Sequence, residues 1–382
     1  MFHFLAPKLS EIWGPFRLLG SYMVLIGLGT SLAALSTWLL IPRLARHLPR
    51  DRGRDHAVNA RAAEGKPTGT GLILVLLMVP WLVFVLPPNI RMWSIVGCLV
   101  LGMFSGYFDD ASVNPWGEYT KGALDLVIAL VTSFVLCRGE ATTLWLPLIK
   151  GELELSPWLY IPVSTIIIWF TINATNCSDG VDGLAGLLTL LSLFYLGGFL
   201  YIVIGHVDVA AYLLVPHNPH GASWALLLFT AAGGLAGYLW YNAEPSAVLM
   251  GDAGSRYLGL LVGIAVMASG NPALVLVVAP VVLANGGTGL FKVVILRFFK
   301  RLGFDIRPRE ALEHPTEDTV ATIEEAPGRT HGIIHLLHSV RFPLHDHCRN
   351  RLGWSNSQVL IRFFLIQTFL TPLLFVLLVK LR

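Results

Sequence analysis

Charge is scarce in this sequence. Only 13% of its 382 residues are Asp, Glu, Lys or Arg, about half the share usual in a soluble globular domain. With 54% hydrophobic residues and a mean hydropathy of +0.65, that shortage excludes an ordinary water-soluble fold. Cysteine is scarce too. The four present, Cys98, Cys137, Cys177 and Cys348, lie far apart without a CxxC spacing, which argues against both a disulfide framework and a thiolate metal site. No convincing internal repeat occurs, which weakens a transporter built on inverted repeats. The net charge of +3 carries no signal for nucleic acid. No typical secretory signal peptide is recognisable, and the first apolar run reads as a retained helix.

What the chain does have is length of apolar run. Ten stretches can each cross roughly 30 Å of hydrocarbon: approximately 18–41, 68–87, 92–108, 121–137, 158–175, 182–204, 223–240, 250–268, 272–296 and 358–380. They are continuous rather than alternating, so helices are expected rather than a barrel. The expected fold is an all-α integral membrane protein of about ten transmembrane helices, forming a single domain over 1–382. The ninth run is expected to bend at Asn285-Gly286-Gly287, because irregular backbone at membrane depth is tolerated where it faces protein or a cavity.

Basic residues set the expected orientation. The first loop holds Arg43, Arg46, Arg50, Arg52, Arg54, Arg61 and Lys66 with few acids, so it belongs in the cytoplasm. Ten spans then put both termini outside and the odd-numbered loops inside, including a long loop over about 297–357. That loop opens with Arg297, Lys300, Arg301, Arg307 and Arg309, whereas Lys380 and Arg382 at the outer end run against the rule. Nearly every dense polar cluster falls in the inside loops, a coincidence the charge count did not require.

Asp109-Asp110 closes the third run. Adjacent carboxylates repel unless a cation or proton relieves them; a divalent metal with phosphate would do so, and so would water at an ordinary helix end. Residues 173–184 pack Asn173, Asn176, Asp179 and Asp182 between two apolar runs. The two aspartates, three apart, share a face if a helix begins there, and Gly180 and Gly183 permit close approach of a ligand. In Asn242 to Ser255, Asp252 stands between Gly251 and Gly254 in apolar surroundings, where an ionisable residue is a functional candidate and could hold Mg²⁺. His345 and His347 flank Asp346 before the last run and suit phosphate or metal contacts. His331, His335 and His338 share a helical spacing better suited to an amphipathic surface helix than to metal. Lys121 opens the fourth run as a snorkelling or phosphate-neutralising lysine. Lys66-Pro-Thr-Gly-Thr-Gly71 is glycine-rich without P-loop spacing.

The ordered set GYFDD (106–110), NATNCSDGVDGLA (173–185), NAEPSAVLMGDAGS (242–255) and PLHDH with GW (343–354) resembles the polyprenyl-phosphate N-acetylhexosamine-1-phosphate transferase superfamily. The resemblance runs from about residue 20 to 380, and its last block favours the branch using a muramoyl-pentapeptide donor over the N-acetylglucosamine branch. It implies a multi-pass, homodimeric enzyme of the bacterial inner membrane in peptidoglycan synthesis. UDP-N-acetylmuramoyl-pentapeptide would give its phospho-sugar to undecaprenyl phosphate, with Mg²⁺ as cofactor and UMP leaving. By position, Asp252 resembles the Mg²⁺ ligand, and Asp109 and Asp110 the aspartates near the lipid phosphate, one a candidate base. Asn176, Asp179, Asp182 and Asn242 match the nucleotide pocket and active site, Lys121 a family lysine, and His345 and His347 the outer two of three consecutive histidines. This chain departs in Asp346 for the middle histidine, Leu249 for a phenylalanine against uracil, Val113 for a lysine, Lys66 shifted by one place, and a longer loop from Phe304 to Arg341. The other readings are a sister transferase with another UDP-sugar, an inactive relative, and a transporter.

Overall fold

The computed structural model describes residues 1–53, 63–114, 116–137, 139, 142–149, 151–304, 306 and 332–381. Arg54, Arg61, Arg307, Arg309, His331, the side chain of His335 and most of the loop between Phe304 and Arg341 lie outside that description.

A bilayer offers no partner for backbone amides, so each apolar run satisfies its own by winding into helix. All ten runs are helical. They are α2 (Tyr22–Leu44), α3 (Gly71–Val85), α4 (Ile90–Ala111), α5 (Glu118–Cys137), α6 (Pro157–Ser178), α7 (Leu184–Gly198), α8 (Gly221–Asn242), α9 (Gly251–Ala268), a broken ninth segment, and the final helix Asn356–Lys380. Eight of these segments are long and apolar enough to cross a membrane. Two differ: α3 is shorter, with 15 residues, and α9 carries Asp252 and Arg256 in its first turns, which makes it less apolar.

The chain is an all-α integral membrane protein with α9 at its centre. Every residue from Asp252 to Met267 is buried, as befits a helix without a polar outer face. It packs on α4 and α6, and then on α7 and α3. Close approach to α6 requires Gly259, where a methyl group would stand 2.5 Å from the Thr171 carbonyl oxygen. The most extensive helix–helix contact is between α2 and α8.

The ninth segment bends earlier than the glycines alone suggest. It starts as α10 (Leu274–Val278), breaks at Ala279 (φ −129°, ψ 39°) before Pro280, passes a π-helical turn at Leu283–Gly287, and continues as α11 (Thr288–Arg301). The π turn contains Asn285-Gly286-Gly287 and presents the Asn285 side chain inward. Two features were not anticipated. An additional helix, α1 (Phe2–Ile12), precedes the first span, and a small antiparallel hairpin pairs Thr142–Leu144 with Leu153–Leu155.

Alternating spans bring the C-terminal ends of α4, α6 and α8 together with the N-terminal ends of α3, α5 and α9. Nearly all the polar blocks read from the sequence lie at this end. At the opposite end, Trp145 Nε1 donates to the Ser269 carbonyl at 3.1 Å and the Leu148 amide to that of Leu381 at 2.8 Å.

Candidate active site

The site is organised around the first turn of α9. Gly251 precedes Asp252 with φ +70°, a left-handed conformation that suits glycine. The Asp110 carboxylate, from the end of α4, accepts the backbone N–H groups of Asp252 at 3.0 Å and Ala253 at 2.9 Å. It thus caps a helix N-terminus whose amides would otherwise lack partners. Helices α3 and α4 come close enough because Gly71 and Gly106 lack side chains. A Cβ on either would stand 2.2 Å from the backbone of α9, at Gly254 N or Asp252 O respectively.

Asp109, the neighbour of Asp110, points to a different set of partners. Its Oδ1 accepts the Trp116 N–H at 2.9 Å, and its Oδ2 is paired with Lys121 Nζ. The same ammonium lies 3.0 Å from Asp252 Oδ2, so Lys121 joins the end of α4 to the start of α9. One turn deeper stands Arg256, 1% exposed. Its Nη2 is 3.3 Å from Asp252 Oδ2 and 3.6 Å from Asp109 Oδ2; its Nη1 is 3.4 Å from Asp125 Oδ1 and 3.2 Å from Ser105 Oγ. Three carboxylates (Asp109, Asp125, Asp252) therefore meet two cations, with Asp110 beside them on the α9 amides, an arrangement with room for further positive charge.

A second group adjoins the first. The segment Pro67–Gly71 runs beside the turn before α9: Leu249 N donates to Pro67 O at 2.8 Å, and Thr70 Oγ1 to Leu249 O at 2.7 Å. Lys66 Nζ donates to Ser246 Oγ at 3.1 Å, and the Ser246 amide to Asp182 Oδ2 at 3.1 Å. Asn176 Nδ2 reaches Ser255 Oγ on α9 at 3.2 Å. Asn242 is buried, taking the Gly183 N–H on its Oδ1 and giving its amide to Val248 O, both at 2.8 Å. Its side chain therefore braces the connector.

Asp179 and Asp182 do not share a helical face. Helix α6 ends at Ser178 with Asp179 as its cap, and α7 starts only at Leu184. Gly183 turns the chain with φ +78°, and Gly180 leaves room for the His345 ring. Both aspartates sit in this connector.

His345 lies in the short helix α12 (Leu344–Arg351) and is 3% exposed. Its backbone N–H and its Nδ1 both meet Asn285 Oδ1, at 2.9 and 3.1 Å. Since that oxygen only accepts, Nδ1 carries the hydrogen. Nε2 then faces the connector, where a Cβ on Gly180 would stand 2.2 Å away. Burial pulls the His345 pKa down to about 4, against the opposing pull of Asp346, so the ring is neutral at physiological pH. His347 is separate, accepting the Arg341 N–H on Nδ1 at 3.3 Å.

Asp109, Asp110, Lys121 and Asp252 thus form one cluster. Lys66, Asp182 and Ser246 form a chain beside it, and His345 joins Asn285 rather than the aspartates. Among the described residues no three His, Cys, Asp or Glu side chains converge as a metal cage. Reading the sequence missed Arg256, Asp125 and Ser105. The usable signal was charge inside an apolar helix, with Arg256 four residues after Asp252 and Asp125 four after Lys121.

Residues 92–270 match the family described as Glycosyl transferase family 4. A phospho-N-acetylmuramoyl-pentapeptide-transferase of Treponema pallidum is 43% identical over 378 residues, covering 98% of this chain and 95% of the relative. Relatives with the same name from Bartonella quintana (27% over 349 residues, 87% of each chain) and Ruegeria pomeroyi (28% over 383 residues, 94% of each) are also similar.

Proposed function

The chain belongs to the phospho-N-acetylmuramoyl-pentapeptide-transferase family, and on that premise we propose that it moves phospho-N-acetylmuramoyl-pentapeptide from its UDP-linked donor to undecaprenyl phosphate, making the first lipid-linked peptidoglycan precursor. One observation carries the reading: Asp109 and Asp252 held on a single lysine at the end of a membrane bundle. A lipid phosphate sits at headgroup level, where the ends of spanning helices meet water. The bundle end that holds the cluster is the cytoplasmic one on the charge rule, and the membrane is the bacterial inner membrane.

In the reaction an oxygen of the lipid phosphate forms a bond to the sugar-bearing phosphorus of the donor. The bond between that phosphorus and the bridging oxygen breaks, and UMP departs with the electron pair. Two polyanions react, so catalysis depends on charge neutralisation and alignment. Lys121, on a flexible stem and partly exposed, supplies positive charge to the phosphates. Asp110 is committed to the α9 N-terminus, which leaves Asp109 to receive the proton of the lipid phosphate or to position it. Lys66 and His347 are assigned to donor contacts, with Asn176, Asp179 and Asp182 at the nucleotide. The neutral His345 offers Nε2 beside the connector.

The donor set is made of hard carboxylate oxygens and suits Mg²⁺, which typically takes one or two carboxylates and completes its shell with substrate phosphate and water. Asp252 and Asp109 would hold it, and when bound it would polarise the donor pyrophosphate.

The test is UMP release by the purified protein with undecaprenyl phosphate and Mg²⁺, offering UDP-N-acetylmuramoyl-pentapeptide and UDP-N-acetylglucosamine separately. Release with the first donor alone is expected. Release only with the second would move the chain to the sister activity, and release with neither would overturn the enzymatic reading.

A further inference from the structure

Arg256 is a charged group of the site that the reaction as described leaves without a task. A buried guanidinium inside a spanning helix is costly unless it is paired on several sides. Here α4, α5 and α9 all contribute partners: Asp109 and Ser105 from α4, Asp125 from α5, and Asp252 from α9 itself. The two ends of the fork have different partners. Nη2 faces the reactive carboxylates, and Nη1 is anchored by Asp125 and Ser105.

Lys121 offers a contrast. Its side chain is 26% exposed, against 2% for that of Arg256, and it ends in a rotatable ammonium. Arg256 ends in a rigid, permanently charged plane. If Lys121 turned towards a substrate phosphate with nothing else present, the Asp109 and Asp252 oxygens would be left facing each other. Arg256 would remain between them.

Building on the transferase reading, we propose that Arg256 is a positioning residue: a resident cation, anchored by Asp125 and Ser105, that keeps the Asp109 and Asp252 carboxylates converged when Lys121 engages phosphate and that opposes divalent-cation binding at the same oxygens. The second half follows from charge. A fixed positive group 3.3 Å from Asp252 Oδ2 competes with any metal for that oxygen, so metal affinity in the resting protein is held down. The site would take the metal mainly together with the donor pyrophosphate, which adds negative charge.

The experiment uses the full-length protein in detergent and compares wild type, Arg256→Lys, and the double variant Arg256→Gln with Asp125→Asn. The double variant removes one buried cation and one buried carboxylate, so the net charge of the cluster is kept. Mn²⁺ affinity is measured without substrates from the free-ion electron paramagnetic resonance signal, alongside kcat, KM for the UDP donor, and Tm. In the double variant Mn²⁺ should bind at least threefold more tightly, because Asp125 sits beyond the guanidinium and Arg256 sits against the metal-facing oxygens. Its kcat should fall at least tenfold, with the donor KM within twofold of wild type. Arg256→Lys keeps the charge, so Mn²⁺ affinity should stay within twofold, while kcat falls because one ammonium cannot span both anchors and both carboxylates. Unchanged Mn²⁺ affinity in the double variant, or wild-type kcat in Arg256→Lys, overturns the proposal. If the double variant does not fold, the Arg256→Lys kcat decides. If the wild-type protein shows no transfer with any donor, the function proposed above fails while the Mn²⁺ comparison still decides this one.

Discussion

Asp110 caps the helix that begins with Asp252: its two carboxylate oxygens take the N–H groups of Asp252 and Ala253 at 3.0 and 2.9 Å. The adjacent Asp109 instead meets Lys121, Arg256 and the Trp116 amide. Two neighbours of the same type are thus separated in role by the direction each leaves α4. Asp109→Asn should lower kcat about a hundredfold or more, the scale of losing one group that acts on transition-state charge, with Tm little changed. Asp110→Ala should cost stability of ~1–2 kcal/mol, as for a lost helix cap, and lower kcat by displacing Asp252. Thermal melts and steady-state kinetics on the two variants check this; equal Tm losses would erase the distinction.

Lys121 is the cation closest to both Asp109 and Asp252, and it is the one that water can reach. Lys121→Met should reduce kcat by on the order of 10²–10³. Lys121→Arg should recover part of that loss, since it keeps the charge with a different fork geometry. Rate measurements at saturating donor decide. Wild-type turnover in Lys121→Met would remove this lysine from the chemistry.

The ten helical segments were legible because a bilayer leaves an apolar run little choice of structure. The polar blocks were legible because charge at the edge of such a run is conspicuous. What did not show was convergence. Arg256 looks like an isolated charge until α4 and α5 bring Asp109 and Asp125 to it, and no spacing in the chain announces that crossing. The shared face of Asp179 and Asp182 required a helix beginning at that point, and the helix starts only at Leu184, after Gly183 turns the chain with φ +78°. Helix α1 went unread because it is short and carries Pro7. Asn285 was read only as a bend, and its hydrogen bonds to His345, sixty residues later, became visible only in three dimensions.

The glycines that let α3 and α4 approach α9 give a sharp steric test. Gly106→Ala would place Cβ 2.2 Å from the Asp252 carbonyl oxygen, whereas Gly97, on the same helix, has nothing within 4 Å of an added Cβ. Gly106→Ala should cost roughly 1–3 kcal/mol through overpacking and abolish most activity by moving Asp252. Gly97→Ala should be neutral or slightly stabilising, by up to about 1 kcal/mol from helix propensity. Tm and activity on the pair provide the check. Full activity in Gly106→Ala would mean that the α9 N-terminus is not held in the close contact described.

His345 should make stability depend on pH in a defined window. In the unfolded chain its imidazole takes a proton near pH 6.5, and in the folded protein only near about 4, chiefly because burial disfavours the charge, with Arg349 adding to that effect and Asp346 opposing it. Between those values the unfolded state holds the extra proton, so acid favours unfolding. The contribution is therefore complete above pH 6.5 and declines as the pH falls towards 4, by on the order of 3 kcal/mol for a shift of this size. Carboxylates also titrate at the lower end, so the informative quantity is the difference between wild type and His345→Gln. The wild-type Tm should fall more steeply between pH 6.5 and 4.5 than that of the variant. Parallel curves would mean that the folded protein protonates this imidazole as readily as the unfolded chain does, and would overturn its burial-depressed titration.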